Sequence, residues 1–448
     1  MKFGLIWINS RKSLFFLSNF DFLLFYYLFI KIYKDSISDL LFLNIFAIIT
    51  SFIWITSSYI IGRYAYIDKD KNLLLISQLS KTIFSLIINL LITQAIFLFF
   101  WDWNIISYLS FSNFVNDFSK FYLNLFLLSY ILQCLFFLYI SKKYNKKSIW
   151  LYWGNEEKIN YLNSLINNKS TIKIEKFNNE NLYMPNTKGV IIENEESILE
   201  KDIKFIFDLN NKGIKLYKVS KWCERYISRY PSELVKVSEI IEEKFFYNKN
   251  GLKARIKRFG ESFISILLLI ITLPLLLFSA ILIKVQDGGP IFYTQSRTGF
   301  EGKTFKIIKL RTMIINAEKN GVQWSQNFDK RITNLGSILR KLRIDELPQL
   351  ILVLSGKMSL IGPRPERPDI DKILRKKIDN YDLRYSVKPG ISGWAQVNYP
   401  YGASIEDSKL KLSYDLYYIK NFSFFLDLVI LFKTMRLVLN GKGSKPKH

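Results

Sequence analysis

The chain has 448 residues, of which 49% are hydrophobic, and its formal net charge is +25. Its single histidine is the last residue, His448, which excludes histidine-based general base catalysis and histidine-ligated zinc from the body of the chain. Cys134 and Cys223 lie far apart, so neither a disulfide framework nor a thiolate metal site is predicted. The charge suits anionic membrane surfaces and phosphorylated substrates, and the long apolar runs make nucleic acid the least favoured partner.

Four apolar segments open the chain, at residues 15–33, 40–61, 82–101 and 121–140. Each approaches the ~20 residues that cross a bilayer, and no small-residue cleavage site suggests a removed signal peptide. Lysine and arginine cluster before the first segment, between the second and third, and after the fourth. The loop between the third and fourth contains Asp102 and Asp117 with only Lys120. The positive-inside rule therefore predicts a four-helix transmembrane bundle over residues 1–145 with both ends cytoplasmic.

Short β-like runs at 149–152, 171–174, 190–192 and 214–217 alternate with helical stretches. This alternation predicts a small, Rossmann-like but degenerate α/β domain with a parallel sheet over residues 146–250. A dinucleotide site would need a glycine-rich turn after the first strand, but that turn has only Gly154. A regulatory or structural role is the better interpretation of this domain.

A fifth apolar run, residues 259–283, contains Thr272 and Pro274 near its middle. One interpretation is a fifth spanning helix with a tolerated kink. However, cations flank both of its ends: Lys253, Arg255, Lys257 and Arg258 precede it, and Lys284, Arg297, Lys303 and Lys306 follow it. Both ends are therefore predicted to be cytoplasmic, which favours a re-entrant helix that bends at Thr272 and Pro274 and returns to the same face. The α/β-type domain at 251–448 would then rest on the membrane.

Two adjacent carboxylates, Asp345 and Glu346, stand just before Pro348 and follow a basic amphipathic segment. Proline is favoured in a first helical turn, so a helix is predicted to begin near Asp345 or Glu346. A helix start with nearby cations suits a site that binds phosphate. The alternative is that Asp345 only caps the helix and that Glu346 is only a first-turn acid.

Residues from about 257 to 443 resemble the bacterial sugar transferases, which are monotopic polyprenyl-phosphate phosphoglycosyl transferases. After the proline-containing helix, ordered blocks carry this resemblance: Asp287-Gly288-Gly289-Pro290, Gln295-Ser296-Arg297-Thr298-Gly299, Phe305 to Met313, Asp345-Glu346-Leu347-Pro348-Gln349, Met358 to Glu366, Lys388 to Val397, and Tyr414-Asp415. The bundle and the α/β insert resemble larger members that initiate exopolysaccharide or O-antigen assembly. Lys357 and Leu310 depart from the family pattern, where an acidic residue and a phenylalanine are usual.

The resemblance implies transfer of a sugar-1-phosphate from a UDP-sugar to undecaprenyl phosphate or another polyprenyl phosphate, with release of UMP. Asp345 would attack the sugar-bearing phosphorus, and the lipid phosphate would attack the resulting covalent intermediate. A carboxylate needs no histidine to activate it. Mg²⁺ is the expected cofactor, with Asp345 and Glu346 as candidate ligands. The implied setting is the bacterial inner membrane with the catalytic domain on its cytoplasmic face, and larger relatives suggest a homodimer.

Several cations are candidates for binding the substrate phosphates. Arg364 lies between two prolines, so its backbone is stiff and its guanidinium suits bidentate phosphate binding. The alternative for Arg364 is a surface ion pair. The other candidates are Arg297, Lys306, Lys309, Arg311, Arg340 and Arg343. For Lys306, Lys309, Arg311 and Arg343, a solvated or membrane-facing position is the alternative. Trp394 follows two glycines and is a candidate for stacking on the nucleotide base, or else a core residue.

A second class of protein also fits the apolar segments, namely a membrane transporter or channel with a basic cytoplasmic regulatory domain. Transport paths usually contain ionisable residues within the membrane. Beyond Asp21, the four bundle segments have few such residues. The sequence therefore favours the transferase over the transporter.

Overall fold

The computed structural model describes residues 12–34, 40–64, 71–101, 111–144, 148–166, 172–178, 186–193, 200–235, 245, 251–315, 317, 329, 331–399, 402 and 404–439. The chain forms two compact units, Met1–Leu216 and Tyr217–His448. The three-part division predicted from composition, at 145/146 and 250/251, stays a prediction.

The first unit begins with long helices that cover all four predicted segments: α1 (Lys12–Tyr33), α2 (Leu40–Ile61), α3 (Lys71–Trp101) and α4 (Phe111–Tyr144). By length and composition, Phe16–Tyr33, Leu40–Ile61 and Asn116–Tyr139 are long and apolar enough to cross a membrane. Large apolar side chains such as Leu23, Leu41 and Phe84 point outward and are exposed. This apolar exterior is what a helix bundle presents to lipid, so the protein is membrane-associated.

The interior of the bundle contains polar side chains, unlike its exterior. Asp21 of α1 is fully buried and lies 3.3 Å from the Nη1 atom of the buried Arg63. Tyr64, Ser129 and Gln133 donate hydrogen bonds to the same carboxylate, at 2.8, 2.6 and 3.1 Å. Buried charges are stable only when paired and hydrogen-bonded in this way. The network therefore ties α1 to α4 and to the turn that follows α2.

A four-stranded sheet follows, in the order β2-β1-β3-β4. Its elements are β1 (Ser148–Trp153), α5 (Glu157–Ile166), β2 (Ile172–Lys176), β3 (Thr187–Ile192), α6 (Glu200–Asn211) and β4 (Lys215–Lys218). β1 pairs in parallel with both β2 and β3, which confirms the predicted parallel sheet. At the turn after β1, the backbone N–H of Asn155 donates to the Glu193 carboxylate at 2.7 Å. An acidic side chain at this turn disfavours a phosphate there.

The second unit contains the predicted catalytic domain. Its described elements are α7 (Val219–Trp222), α8 (Leu252–Asp287), β5 (Phe292–Thr298), β6 (Thr304–Leu310), α9 (Asn334–Lys341), α10 (Leu350–Leu354), β7 (Ser359–Ile361), α11 (Pro368–Lys377), β8 (Gly390–Ser392), α12 (Trp394–Asn398), α13 (Ile405–Lys420) and α14 (Phe424–Leu439). 3₁₀ helices at Ile344–Gln349 and Tyr381–Ser386 join some of these elements. β5 and β6 form an antiparallel hairpin, whereas β7 and β8 are parallel.

The core of this unit lies between α10, β7 and the C-terminal helices. Val353, Met358, Leu416 and Ile430 are among its fully buried members. A smaller apolar cluster joins Ile283 of α8 to Leu310, Leu339 and Ile344. These two clusters hold β6, α9 and the 3₁₀ helix Ile344–Gln349 together, and thereby position the two adjacent carboxylates.

Helix α8 contains the predicted re-entrant segment and is longer than predicted, running from Leu252 to Asp287. The chain stays helical through Pro274, and the Thr272 hydroxyl donates to the Leu268 carbonyl at 2.7 Å. Proline and this type of side-chain hydrogen bond both bend helices. The bend and the return to the same membrane face stay predictions.

Candidate active site

The chain turns sharply just before the two carboxylates. Arg343 has φ = 56°, in the left-handed region that non-glycine residues seldom occupy. The 3₁₀ helix that follows begins at Ile344, one residue before the predicted start, and continues into α10. Strained backbone of this kind persists only where surrounding contacts fix it. Here it places Asp345 and Glu346 in the first turn of the helix.

Glu346 is surrounded by cations. Its Oε1 accepts hydrogen bonds from Lys309 at 2.8 Å and from Arg364 at 2.7 Å, and its Oε2 accepts from Arg343 at 2.6 Å. Burial would raise the pKa of this carboxyl, but Arg343, Arg364 and Lys309 outweigh it and hold the pKa well below its usual range. Glu346 is therefore ionised and gathers three cations at one point.

Asp345 is in a different environment, although it is the next residue in the chain. It is only 7% exposed, and no described residue makes a hydrogen bond or ion pair with its carboxylate. Burial and the neighbouring Glu346 charge raise the pKa of Asp345 to about 6, against the opposing effect of Lys309, Arg340 and Arg343. At neutral pH this group is therefore mostly ionised, and its oxygen lone pairs are not committed to a protein donor.

The structure brings together only part of the predicted phosphate-binding set. Lys309, Arg343 and Arg364 meet at Glu346. Arg340 donates from Nε to Thr312 at 2.8 Å. Lys306 is exposed, and strand alternation in β6 directs it to the face opposite Lys309. Lys306 and Lys309 therefore lie on opposite faces of β6, and Lys306 is not brought to Glu346.

Arg311 and Arg297 both make structural contacts. Arg311 is bonded to Asp287, the last residue of α8, and its guanidinium lies against Gly289 with no room for a Cβ atom there. Arg297 donates to the Pro365 carbonyl at 3.3 Å and to Gln295 at 2.6 Å. Phosphate binding by either residue stays a prediction. Arg311 fixes the turn that returns the chain from α8 to β5.

Trp394 lies in the core, which is the alternative considered for it. Its ring is 2% exposed, stacks on Tyr417 at 5.8 Å between centroids, and lies under the Lys433 ammonium. Its Nε1 donates to the Ser228 carbonyl at 3.0 Å. These contacts favour a packing role, and stacking on a nucleotide base stays untested.

Sequence reasoning missed two buried residues near this site. Arg384, in the 3₁₀ helix Tyr381–Ser386, donates to the backbone carbonyl of Arg364 at 2.7 Å and lies 3.3 Å from Asp415. Asp415 belongs to a recognised motif block, but the sequence offered no role for it. Arg384 and Asp415 lie 31 residues apart in the sequence, so no local sequence pattern marks their contact.

A divalent metal would find few protein ligands here. Among the described residues there is no group of three or more His, Cys, Asp or Glu side chains that could hold a metal ion. Asp345 offers uncommitted carboxylate oxygens, while Glu346 is bonded to three cations. Mg²⁺ prefers oxygen donors and is often bound by one or two carboxylates together with substrate phosphates. The donor set therefore fits a Mg²⁺ ion held largely by substrate oxygens.

Comparison with known proteins assigns this half of the chain to a family. The family model described as bacterial sugar transferase matches residues 252–441, which contain the site. An uncharacterized sugar transferase of Bacillus subtilis, EpsL, is 40% identical over 188 residues, which are 42% of this chain and 89% of that protein. The chain belongs to the bacterial sugar transferase family.

Two other relatives have more specific names. A UDP-N-acetylgalactosamine-undecaprenyl-phosphate N-acetylgalactosaminephosphotransferase of Aeromonas hydrophila is 45% identical over 192 residues, 43% of this chain and 45% of that protein. A UDP-glucose:undecaprenyl-phosphate glucose-1-phosphate transferase of Escherichia coli K12 is 38% identical over 189 residues, 42% of this chain and 40% of that protein. The match thus spans less than half the length of these two relatives.

Proposed function

We propose that this protein is a polyprenyl-phosphate phosphoglycosyl transferase, which moves a sugar-1-phosphate from a UDP-sugar to undecaprenyl phosphate and releases UMP. The observation that carries the proposal is the contrast between the two adjacent carboxylates. Glu346 holds three cations where a diphosphate would bind, whereas Asp345 has no partner among the described residues. The names of the relatives support this donor and acceptor.

In the first step, an Oδ atom of Asp345 attacks the phosphorus that carries the sugar. A bond forms between Asp345 and this phosphorus, and the bond to the bridging oxygen breaks, so that UMP leaves with the electron pair. The donor diphosphate repels an anionic nucleophile, so cations must offset that repulsion. Lys309, Arg343 and Arg364 are already gathered at Glu346, the residue next to Asp345, and Arg364 offers a forked donor to phosphate oxygens.

In the second step, an oxygen of the lipid phosphate attacks the same phosphorus. The bond to Asp345 breaks, its carboxylate is regenerated, and the product is a polyprenyl diphosphate sugar. Asp345 is a suitable leaving group because the carboxylate it becomes is stable near neutral pH. The two displacements need no histidine, in agreement with the single terminal histidine of this chain.

Mg²⁺ is the cofactor we propose, with Asp345 and Glu346 as its protein ligands. When bound, the ion would neutralise charge on the donor diphosphate. Because Glu346 already binds three cations, its main role is to hold Lys309, Arg343 and Arg364 in position.

The contacts of α8 support a re-entrant rather than a spanning helix. Near its start, Arg258 donates to the Leu354 carbonyl at 2.6 Å and Lys257 bonds Asp427 at 2.9 Å. Near its end, Ile283 is buried against Ile344 and its neighbours. A helix that crossed the bilayer would carry one of these ends away from the catalytic unit. The opposite face of α8 is apolar and exposed, as at Phe263, Ile271 and Leu277, which suits lipid.

This arrangement would place the site at the depth of the lipid phosphate, on the cytoplasmic face of the bacterial inner membrane. Initiation of exopolysaccharide or a related glycan is the proposed context. The homodimer implied by larger relatives stays a prediction, as do the roles of the bundle and the sheet domain.

Release of UMP tests the proposed activity. Full-length protein in detergent or nanodiscs is incubated with Mg²⁺, undecaprenyl phosphate and a panel of UDP-sugars that includes UDP-glucose and UDP-N-acetylgalactosamine. At least one donor should give UMP release that depends on the lipid phosphate. Absence of turnover with every donor would contradict the proposed function, and Asp345→Asn serves as the inactive control.

A further inference from the structure

The loop at residues 362–367 carries Arg364 to Glu346, and it is held in an unusual way. Prolines at 363 and 365 have no backbone N–H, so neither of these residues can donate a backbone hydrogen bond to hold the loop. Instead, four consecutive carbonyls each accept a hydrogen bond from another element. The donors are Gly390 N to Pro363 at 2.9 Å, Arg384 Nη2 to Arg364 at 2.7 Å, Arg297 Nη1 to Pro365 at 3.3 Å, and Thr298 N to Glu366 at 2.9 Å.

Two of these four donors are arginine side chains rather than backbone groups. Arg384 is 7% exposed, and it also bonds the Tyr381 hydroxyl and lies 3.3 Å from the buried Asp415 of α13. A guanidinium has donors in a fixed fork, so one contact sets the direction of the others. The Asp415 carboxylate therefore orients Arg384, and Arg384 in turn holds the backbone of Arg364.

We propose that Arg384, oriented by Asp415 and assisted by Arg297, is a positioning residue that keeps the Arg364 guanidinium at Glu346 and beside Asp345. This inference rests on the proposed function and adds to it a chain of contacts from α13 to the reacting carboxylates. It also gives Arg297 a role other than the substrate contact predicted from its motif. Neither Arg384 nor Arg297 contacts Glu346 directly.

A double-mutant cycle tests whether Arg384 acts through Arg364. The four proteins are the wild type, Arg364→Ala, Arg384→Met and the double variant, each full length and assayed for UMP release with the donor that the panel identifies. Small misplacements at a reacting centre cost up to about 100-fold, so Arg384→Met should lower kcat/KM by about 10- to 100-fold. In the Arg364→Ala background, Arg384→Met should lower kcat/KM less than about threefold, because the Arg364 guanidinium that Arg384 positions is already absent.

Additive losses in the cycle, or full activity of Arg384→Met, would overturn the inference. A merely structural role for Arg384 would lower the activity of both backgrounds equally. If Arg384→Met does not fold, Arg384→Lys completes the cycle, since it keeps the charge but cannot bond Tyr381, Asp415 and the Arg364 carbonyl together. An inactive wild type would instead count against the proposed function.

Arg375→Met is the matched control. Arg375 is a neighbouring arginine on α11 that bonds Asp371 at 3.2 Å and Asp382 at 3.0 Å and makes no bond to the loop. Its loss should change kcat/KM by less than about threefold and should combine additively with Arg364→Ala.

Asp415→Asn should lower kcat/KM less than Arg384→Met does, because the asparagine amide oxygen can still accept a hydrogen bond from Arg384.

Discussion

Asp345 and Glu346 are adjacent in sequence, yet their carboxylates have opposite surroundings. Three cations hold the pKa of Glu346 low, while burial and the Glu346 charge raise that of Asp345. Neighbouring acids whose pKa values are pushed apart often have different roles in a mechanism. Here Asp345, which has no hydrogen-bond or ion-pair partner among the described residues, fits the nucleophile. Glu346, which is bound to cations, fits the group that organises the phosphate site.

The raised pKa of Asp345 predicts an acid limb in the pH profile. Only the ionised form can attack phosphorus, and this form is lost as pH falls through about 6. Well below that value, kcat/KM for the donor should fall about tenfold for each pH unit. Steady-state UMP release measured from pH 5 to 8 would show it, and a flat profile would contradict it.

Two variants test whether the ionisation of Asp345 causes this loss of activity at low pH. Glu346→Gln removes the negative neighbour that raises the Asp345 pKa, so the limb should move to lower pH in addition to any loss of rate. Burial also raises the pKa of Asp415 to about 6, so Asp415→Asn is the control and should leave the limb in place. A limb that disappears in Asp415→Asn would belong to Asp415.

The sequence predicted residues whose role depends on local pattern and missed those that depend on distant pairing. Asp345, Glu346 and Arg364 were recognisable because proline, charge and motif order mark them. Arg384 was not, because the carbonyl it holds lies 20 residues away. Arg311 and Trp394 were candidates because of their neighbours in the sequence, and this local pattern did not reveal their contacts to Asp287, Ser228 and Tyr417.

At the level of elements, hydrophobic length predicted a long helix at each apolar segment. α2 has the predicted bounds, whereas α3, α4 and α8 extend beyond theirs because their polar ends give no hydropathy signal. The turn at Arg343 and the 3₁₀ geometry after it were not predictable, since a left-handed arginine has no sequence signature. The same holds for the buried bonds that link Asp21 to Arg63 and α4.

The Asp21–Arg63 pair predicts how the bundle responds to substitution. Removing one partner leaves an uncompensated buried charge, so Asp21→Leu or Arg63→Met should each destabilise the bundle by about 3–5 kcal/mol. The double variant removes both charges and should be more stable than either single variant. Unfolding in mixed detergent and denaturant measures this. The exposed Lys173–Glu175 pair is the control, and Glu175→Gln should change stability by less than about 1 kcal/mol.

If the loss of stability in the double variant equals the sum of the losses in the two single variants, the proposed charge pairing of Asp21 and Arg63 is contradicted. That result would mean that the two side chains stabilise the bundle separately, through packing, rather than through their mutual charge. Equal stability of all variants would mean that the network contributes nothing measurable.

The topology of α8 predicts labelling of both of its ends from one side. Arg255 and Gln286 are exposed at opposite ends of the helix, so single cysteines there should report position without disturbing buried contacts. In sealed membrane vesicles, an impermeant thiol reagent should label both positions from the cytoplasmic side only. A cysteine at Ser107, which lies outside the described residues in the loop predicted to be external, should be labelled from the other side. Opposite labelling of positions 255 and 286 would establish a spanning helix.

For the whole molecule, composition indicated a basic membrane protein, and the family match covers residues 252–441. The compact unit that contains this match begins earlier, at Tyr217. Tyr230 is fully buried, its N–H donates to the Ser413 carbonyl at 2.7 Å, and Ser228 accepts from Trp394. The described residues around Ser228 and Tyr230 are therefore part of the core of the second unit. Composition could not reveal this, because the contacts join residues more than 150 positions apart.

The proposed mechanism depends on a covalent bond between Asp345 and the sugar phosphate. Full-length protein is incubated with Mg²⁺ and the active UDP-sugar without lipid acceptor, and the peptide containing Asp345 is analysed by mass spectrometry. One sugar-phosphate adduct is expected on Asp345; it should disappear when undecaprenyl phosphate is added, and Asp345→Asn should form no adduct. An adduct that persists in Asp345→Asn, or wild-type turnover through an adduct on another residue, would contradict this mechanism.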